Sequence, residues 1–258
     1  NVKKKYKTFE LNMNMTLEPG TITGLIGRNG AGKSTTFKAI LGLIRLNGGK
    51  VLIDGKQPQD LKAAEKENIG VVLSDSGFSG YMTVKDVILT MNAMYKKFDK
   101  ADFLAKCEQF KLPLNQKIKE FSTGMKAKLK VLLAMSHGAK LLILDEPTSG
   151  LDVVVRNEIL DLLREYMEDE ENSILISSHI SSDLEGLCDE VYFIEDGKII
   201  LQEETDVLMD EYAVLKVTKE QYAKLEKEYI LCVQEDRYGC TCLTNQKQYF
   251  MENWPELV

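Results

Sequence analysis

Eight consecutive residues, Gly27-Arg28-Asn29-Gly30-Ala31-Gly32-Lys33-Ser34, limit what this chain can fold into more than any other feature. They match the pattern G-x-x-x-x-G-K-[ST] in full. An apolar run at 21–26 precedes them, and from 33 to 44 the residues Phe37, Ile40, Leu41 and Ile44 recur at helical spacing. A strand feeding a helix through this many glycines lets backbone N–H groups curl around an anion without Cβ clashes, and the helix N-terminus adds its dipole. The expected ligand is a triphosphate. Gly27, Asn29, Gly30, Ala31, Gly32 and Thr35 belong to the cradle, Lys33 reaches the β- and γ-phosphates, and the Ser34 hydroxyl ligates Mg²⁺.

A second chemical feature follows a long gap. Leu141-Leu142-Ile143-Leu144 is an unbroken apolar run of the kind buried on both faces, and it ends in Asp145-Glu146-Pro147. Ligands of open α/β sheets bind outside the carboxyl ends of the strands, where these two carboxylates fall. Asp145 suits the Mg²⁺ shell, and Glu146 suits polarising the water that attacks the γ-phosphate.

The intervening pattern alternates strands and helices, which predicts a mainly parallel sheet flanked by helices. A strand and turn are expected at 50–55, strands at 69–73 and 174–177, and a helix at 156–168. The middle, about 75–136, is mostly helical: Val84, Val87, Ile88 and Met91 share one face, and Phe103, Cys107 and Phe110 another. After about residue 202 the character changes to charged, Tyr-bearing segments, with weak strand patterns at 213–217 and 229–233 around a helix-like stretch at 219–228. This tail is expected to form a small α+β appendage.

Bulk properties narrow the function classes. The 258 residues are 44% hydrophobic and 28% charged, with a formal net charge of −7, so a broad nucleic-acid-binding surface is not expected. No apolar run approaches the roughly 18–20 residues of a membrane-spanning helix, so a cytoplasmic protein is expected, with any membrane role carried by a partner. The five cysteines show no framework spacing, and Cys240-x-Cys242 with Cys232 nearby is expected to be a set of reduced thiols rather than a metal site.

Three further segments carry a family resemblance. Phe121-Ser122-Thr123-Gly124-Met125-Lys126 resembles the signature of ATP-binding-cassette (ABC) proteins, usually L-S-G-G-Q. Ser149-Gly150-Leu151-Asp152 resembles the family's D-loop, and Ser177-Ser178-His179 its switch-histidine motif. With the phosphate loop, the resemblance spans roughly residues 1–200. It implies a P-loop NTPase cassette at 1–201 with a mainly parallel sheet, an N-terminal antiparallel β part and a helical subdomain at about 75–136, followed by the α+β extension at 202–258. It also implies ATP hydrolysis and a head-to-tail dimer, homo- or heteromeric, in which Ser122, Thr123, Gly124 and Asp152 complete the partner's ATP site. His179 acts there as a sensor that orients Glu146. A transmembrane permease is the further partner, received by 77–87 unless Phe78 and Tyr81 pack on the chain's own helices.

Two departures from the family pattern stand out. Where the family carries a Mg²⁺-ligating Gln, this chain reads Leu73-Ser74-Asp75-Ser76, so Ser74, or the more strongly binding Asp75, takes that place. The F-S-T-G-M-K form of the signature resembles bacterial cassettes that serve export permeases, including those for antimicrobial-peptide resistance. An aromatic near the N-terminus stacks on adenine in the family; Tyr6 is the candidate and Phe9 the alternative. The resemblance thus implies an exporter ATPase, with a non-transport or nucleotide-sensing cassette as the alternative.

Overall fold

The computed structural model describes residues 1–74, 77–235 and 237–257. The chain divides into two compact units, Asn1–Gln202 and Glu203–Val258. The strands of the first unit are β1 (Val2–Lys5), β2 (Glu10–Met13), β3 (Ile22–Ile26), β4 (Gly48–Gly49), β5 (Ile69–Val72), β6 (Leu141–Asp145), β7 (Ser173–Ser178), β8 (Glu190–Glu195) and β9 (Lys198–Glu204). Its helices are α1 (Lys33–Ile40), α2 (Ala63–Lys66), α3 (Val84–Met94), α4 (Lys100–Gln109), α5 (Thr123–Met135), α6 (Val153–Tyr166) and α7 (Ser182–Glu185).

Among the described residues six strands form one sheet in the order β5-β6-β7-β3-β8-β9. The neighbours from β5 to β8 all run parallel. Leu142, Ile143 and Leu144 of β6 and Ile174 and Leu175 of β7 are fully buried, as continuous apolar runs in a two-sided sheet must be. β9 returns beside β8 through Asp196-Gly197, both with positive φ, the conformation that matches strand twist in a two-residue turn. β2, β1 and β4 make a separate antiparallel sheet.

This topology decides where the chemistry meets. β7 lies between β6 and β3, and its register pairs Asp145 with Ser177 and Ile26 with Ser178. The loops leaving β3, β6 and β7 therefore open side by side at one edge of the sheet.

Side-chain caps set several of the helix starts. Thr83 and Asp86 form a reciprocal capping box on α3, Asp99 caps α4, Ser122 caps α5 and Asp152 caps α6. Each such cap stabilises its helix by about 1 kcal/mol. On α3 the expected face of Val84, Val87, Ile88 and Met91 is buried; on α4 Phe103 and Cys107 are buried, while Phe110, the C-cap, is half-buried. α5 crosses β5 so closely that a Cβ on Gly70 would stand 2.2 Å from the Ala134 carbonyl oxygen, which leaves room for glycine alone.

Several boundaries differ from the sequence expectation. The strand expected at 50–55 forms instead at Gly48–Gly49, where Val2 and Lys3 are in reach. The expected turn is present at Asp54 and Gly55, both with positive φ. α1 stops at Ile40 rather than 44 because Gly42, at φ +67°, closes a Schellman motif. Its N–H donates to the Ala39 carbonyl, and that of Leu43 donates to Lys38. α6 starts at Val153 rather than 156 because Asp152 supplies the cap.

The second unit holds α8 (Thr205–Glu211), β10 (Ala213–Val217), α9 (Lys219–Lys224), β11 (Cys232–Glu235), β12 (Cys240–Thr244) and α10 (Lys247–Asn253). Its antiparallel sheet has the order β10-β12-β11. Its core is Leu215, Val217, Leu225, Cys240, Cys242, Phe250 and Leu257. The strand expected at 229–233 lies later because Lys227–Tyr229 forms a 3₁₀ turn. Cys240 and Cys242, two apart on one strand, both face the core, while Cys232 is exposed.

Candidate active site

The phosphate loop leaves β3 at Ile26 and enters α1 at Lys33. Gly30 and Gly32 carry φ of +87° and +119°, a region closed to most side chains. At Gly27 a Cβ would lie 2.5 Å from the Ile194 carbonyl oxygen. Asn29 and Gly30 form the exposed tip, and Ala31 is buried beneath it. α1 has Gly32 as its N-cap, no side-chain cap and no acidic residue in its first turn. The first-turn N–H groups of Lys33, Ser34 and Thr35 are therefore uncapped by any side chain, at the positive end of the helix dipole.

Lys33 is buried, and its ammonium donates to the Gly27 carbonyl at 2.6 Å. The same Nζ stands 3.0 Å from Glu146 Oε1, an ion pair without hydrogen-bond alignment. Glu146 Oε2 lies 2.5 Å from His179 Nδ1 and also accepts the His179 backbone N–H at 3.4 Å. Facing a carboxylate, Nδ1 takes the donor role. Lysine, glutamate and histidine, drawn from three different loops, thus form one continuous chain.

Glu146 sits at φ +53°, strained for a side chain of its size. The strain is held by its own N–H, which donates to the Ser177 carbonyl at 3.2 Å and to Ser177 Oγ at 3.1 Å. Ser177 Oγ in turn donates to Asp145 Oδ1 at 2.9 Å. Ser177 thus links Asp145 to Glu146, a role that its place in the Ser177-Ser178-His179 motif did not reveal. Its in-register position opposite Asp145 lets one hydroxyl set both acidic residues.

Asp145 is almost fully buried, and its Oδ2 has no hydrogen-bond partner. A buried carboxylate oxygen left unpaired carries a large desolvation cost, which a cation would relieve. With Ser34 half-buried in the first turn of α1, the donors are hard oxygens of the kind Mg²⁺ prefers. Ser74 is exposed at the carboxyl end of β5, the strand beside β6. Asp75 lies outside the described residues.

The remaining candidates form a second group. Ser122 Oγ accepts the Met125 N–H at 3.2 Å, and Thr123 and Gly124 open α5. Gly124 packs on Val155 of α6, whose N–H donates to the Asp152 cap at 3.0 Å. Ser122, Thr123 and Asp152 are exposed, as are Val153 at 65% and Val154 at 69%. Of the two aromatics, Phe9 packs behind Gly32 in the core cluster. Tyr6 is 44% exposed, with Lys4 Nζ 5.1 Å from its ring centre. Tyr81 is exposed with the Lys119 ammonium over its ring, and Phe78 is half-buried.

Comparison with known proteins agrees with this geometry. Residues 11–149 match the family model described as ABC transporter. The chain is 32% identical over 205 residues to the ABC transporter ATP-binding protein YtrB of Bacillus subtilis (strain 168), covering 80% of this chain and 70% of that protein. It is 34% identical over 220 residues to the lantibiotic transport ATP-binding protein SrtF of Streptococcus pyogenes, covering 80% and 90%. A solved ATP-binding subunit of an ABC transporter superposes with a TM-score of 0.71 at 25% identity, over 81% of this chain and 90% of that one. A phosphate loop, an acidic strand end and a histidine joined at one sheet edge, in a chain with these relatives, place it in the ABC transporter family as an ATP-binding subunit.

Proposed function

We propose that this chain drives a membrane exporter by binding and hydrolysing ATP at the carboxyl edge of its main sheet. The observation that carries the reading is the chain from Lys33 through Glu146 to His179, set against an uncapped glycine-rich helix start. Lys33 and the first-turn N–H groups of α1 bind the phosphates. Glu146 takes the proton of the attacking water, a role worth roughly 10²–10⁴ in rate, and His179 orients its carboxylate. Ser34, Asp145 and Ser74 would hold Mg²⁺, which when bound offsets the charge on the phosphates. Tyr6, exposed where Phe9 is packed away, stacks on adenine.

A second cassette completes each site. The exposed Ser122, Thr123 and Asp152, with the half-buried Gly124, meet the partner's nucleotide head to tail, and Val153 and Val154 give that face an apolar patch to bury. Among the described residues no helix is long and apolar enough to cross a membrane. A membrane permease, the partner with which ABC ATP-binding subunits work, would hold this subunit on the inner membrane face. The lantibiotic transport role in the name of the Streptococcus relative, together with the Phe121–Lys126 segment, favours export of an antimicrobial peptide or similar amphipathic compound.

The test is to tag the chain in its source cell, solubilise the membranes gently and identify what co-purifies. A stoichiometric polytopic membrane protein is expected. Recovery from the soluble fraction alone, free or with ribosomes or DNA, would move the protein to a non-transport role.

A further inference from the structure

Asp183, in α7 four residues after His179, is 3% exposed and carries a buried carboxylate that the ATP site does not use directly. Its two oxygens face different loops. Thr148 Oγ1, two residues after Glu146, donates to Oδ2 at 2.7 Å, within a fully buried pair. Arg156 Nη1, in the first turns of α6 behind the Asp152 cap, lies 3.3 Å from Oδ1. Arg156 Nε is buried without a hydrogen-bond partner among the described residues, so this guanidinium depends on Asp183.

A buried charge is tolerated only where its partners are fixed, because removing one leaves the others desolvated and unpaired. One carboxylate therefore ties three segments together: the loop bearing Glu146, the Asp152 start of α6, and the turn that carries His179. It joins the same two loops as the 2.5 Å His179–Glu146 contact, through other atoms.

We propose that Asp183 is a positioning residue for ATP hydrolysis: with Thr148 and Arg156 it locks the loop after β6 to the loop after β7, so that Glu146 and His179 keep their mutual geometry and follow movements of the Asp152 segment. The proposal rests on the hydrolytic reading of Glu146 given above. Asp183→Asn keeps an acceptor for Thr148 and removes the charge that holds Arg156.

The test combines kinetics with a spectroscopic signal. The chain has two histidines, His137 and His179, so their imidazole NMR signals are assigned with one His179→Asn variant. For Asp183→Asn the expected results are a kcat lower by about tenfold or more with the KM for ATP within about twofold, and a shifted His179 signal beside an unmoved His137 signal. In a His179→Ala background the same substitution is expected to change kcat by less than about twofold, because both act through one geometry. An unmoved His179 signal, or an equal loss of kcat in both backgrounds, would overturn the proposal. A wild-type chain that releases no phosphate would count against hydrolysis by Glu146, while the His179 signal would still decide the role of Asp183. If Asp183→Asn does not fold, Thr148→Val, which has nearly the same shape and lacks only the hydroxyl link, is judged by the same outcomes.

Discussion

His179 Nδ1 stands 2.5 Å from Glu146 Oε2, although the two residues are 33 positions apart and leave neighbouring strands. The contact follows from parallel pairing: Asp145 opposite Ser177 puts residue 146 beside residues 178 and 179. A base oriented in this way loses rate, and not substrate, when its orienting group goes. His179→Ala is expected to lower ATP turnover by about tenfold or more while the Kd for ATP stays within about threefold, read by phosphate release and a fluorescent nucleotide.

Lys33 makes the opposite prediction. Its ammonium faces Gly27 O and Glu146 inside the phosphate loop, and charged hydrogen bonds of this type contribute about 1.5–3 kcal/mol each. Lys33→Ala is therefore expected to weaken ATP binding by roughly tenfold to more than a hundredfold, measured by calorimetric titration.

The close crossing of α5 over β5 gives a stability prediction away from the site. Gly70→Ala sets a methyl 2.2 Å from a backbone carbonyl that cannot swing away, and overpacking of this kind typically costs about 1–3 kcal/mol. Urea unfolding should show a lower midpoint with an unchanged slope.

Thiol chemistry separates the cysteines. Cys107 is buried on α4, and burial lifts its thiol to about 11. Burial likewise pushes Cys188 and Cys242 upward. A thiol with a raised value holds its proton at pH 8 and reacts slowly. Ellman's reagent at that pH should therefore modify the exposed Cys232 quickly, and the remaining four only on unfolding.

Much of the site could be read from the sequence because its parts are local. The loop from Gly27 to Ser34 and the strand end at Asp145-Glu146 each need one contiguous stretch. The parallel main sheet followed from the strong apolar runs in β3, β5, β6 and β7. What stayed hidden depends on pairing between distant segments. Nothing in the residues around Ser177 announces that its hydroxyl bridges Asp145 and Glu146, since that arises from register. The same holds for Asp183, whose partners come from two other elements. The strand at Gly48–Gly49 was invisible because glycine has little strand propensity, and its pairing is imposed by β1. In the second unit, β12 and α10 have short, mixed patterns that only the shared core around Phe250 stabilises.

The most direct test of the central claim, that Glu146 is the base of an ATPase, is steady-state phosphate release by Glu146→Gln beside the unaltered chain, with ATP affinity measured on both. Turnover lower by roughly 10²–10⁴, with affinity kept or increased, is the predicted result. Full turnover by Glu146→Gln would contradict the account and remove Glu146 from the chemistry.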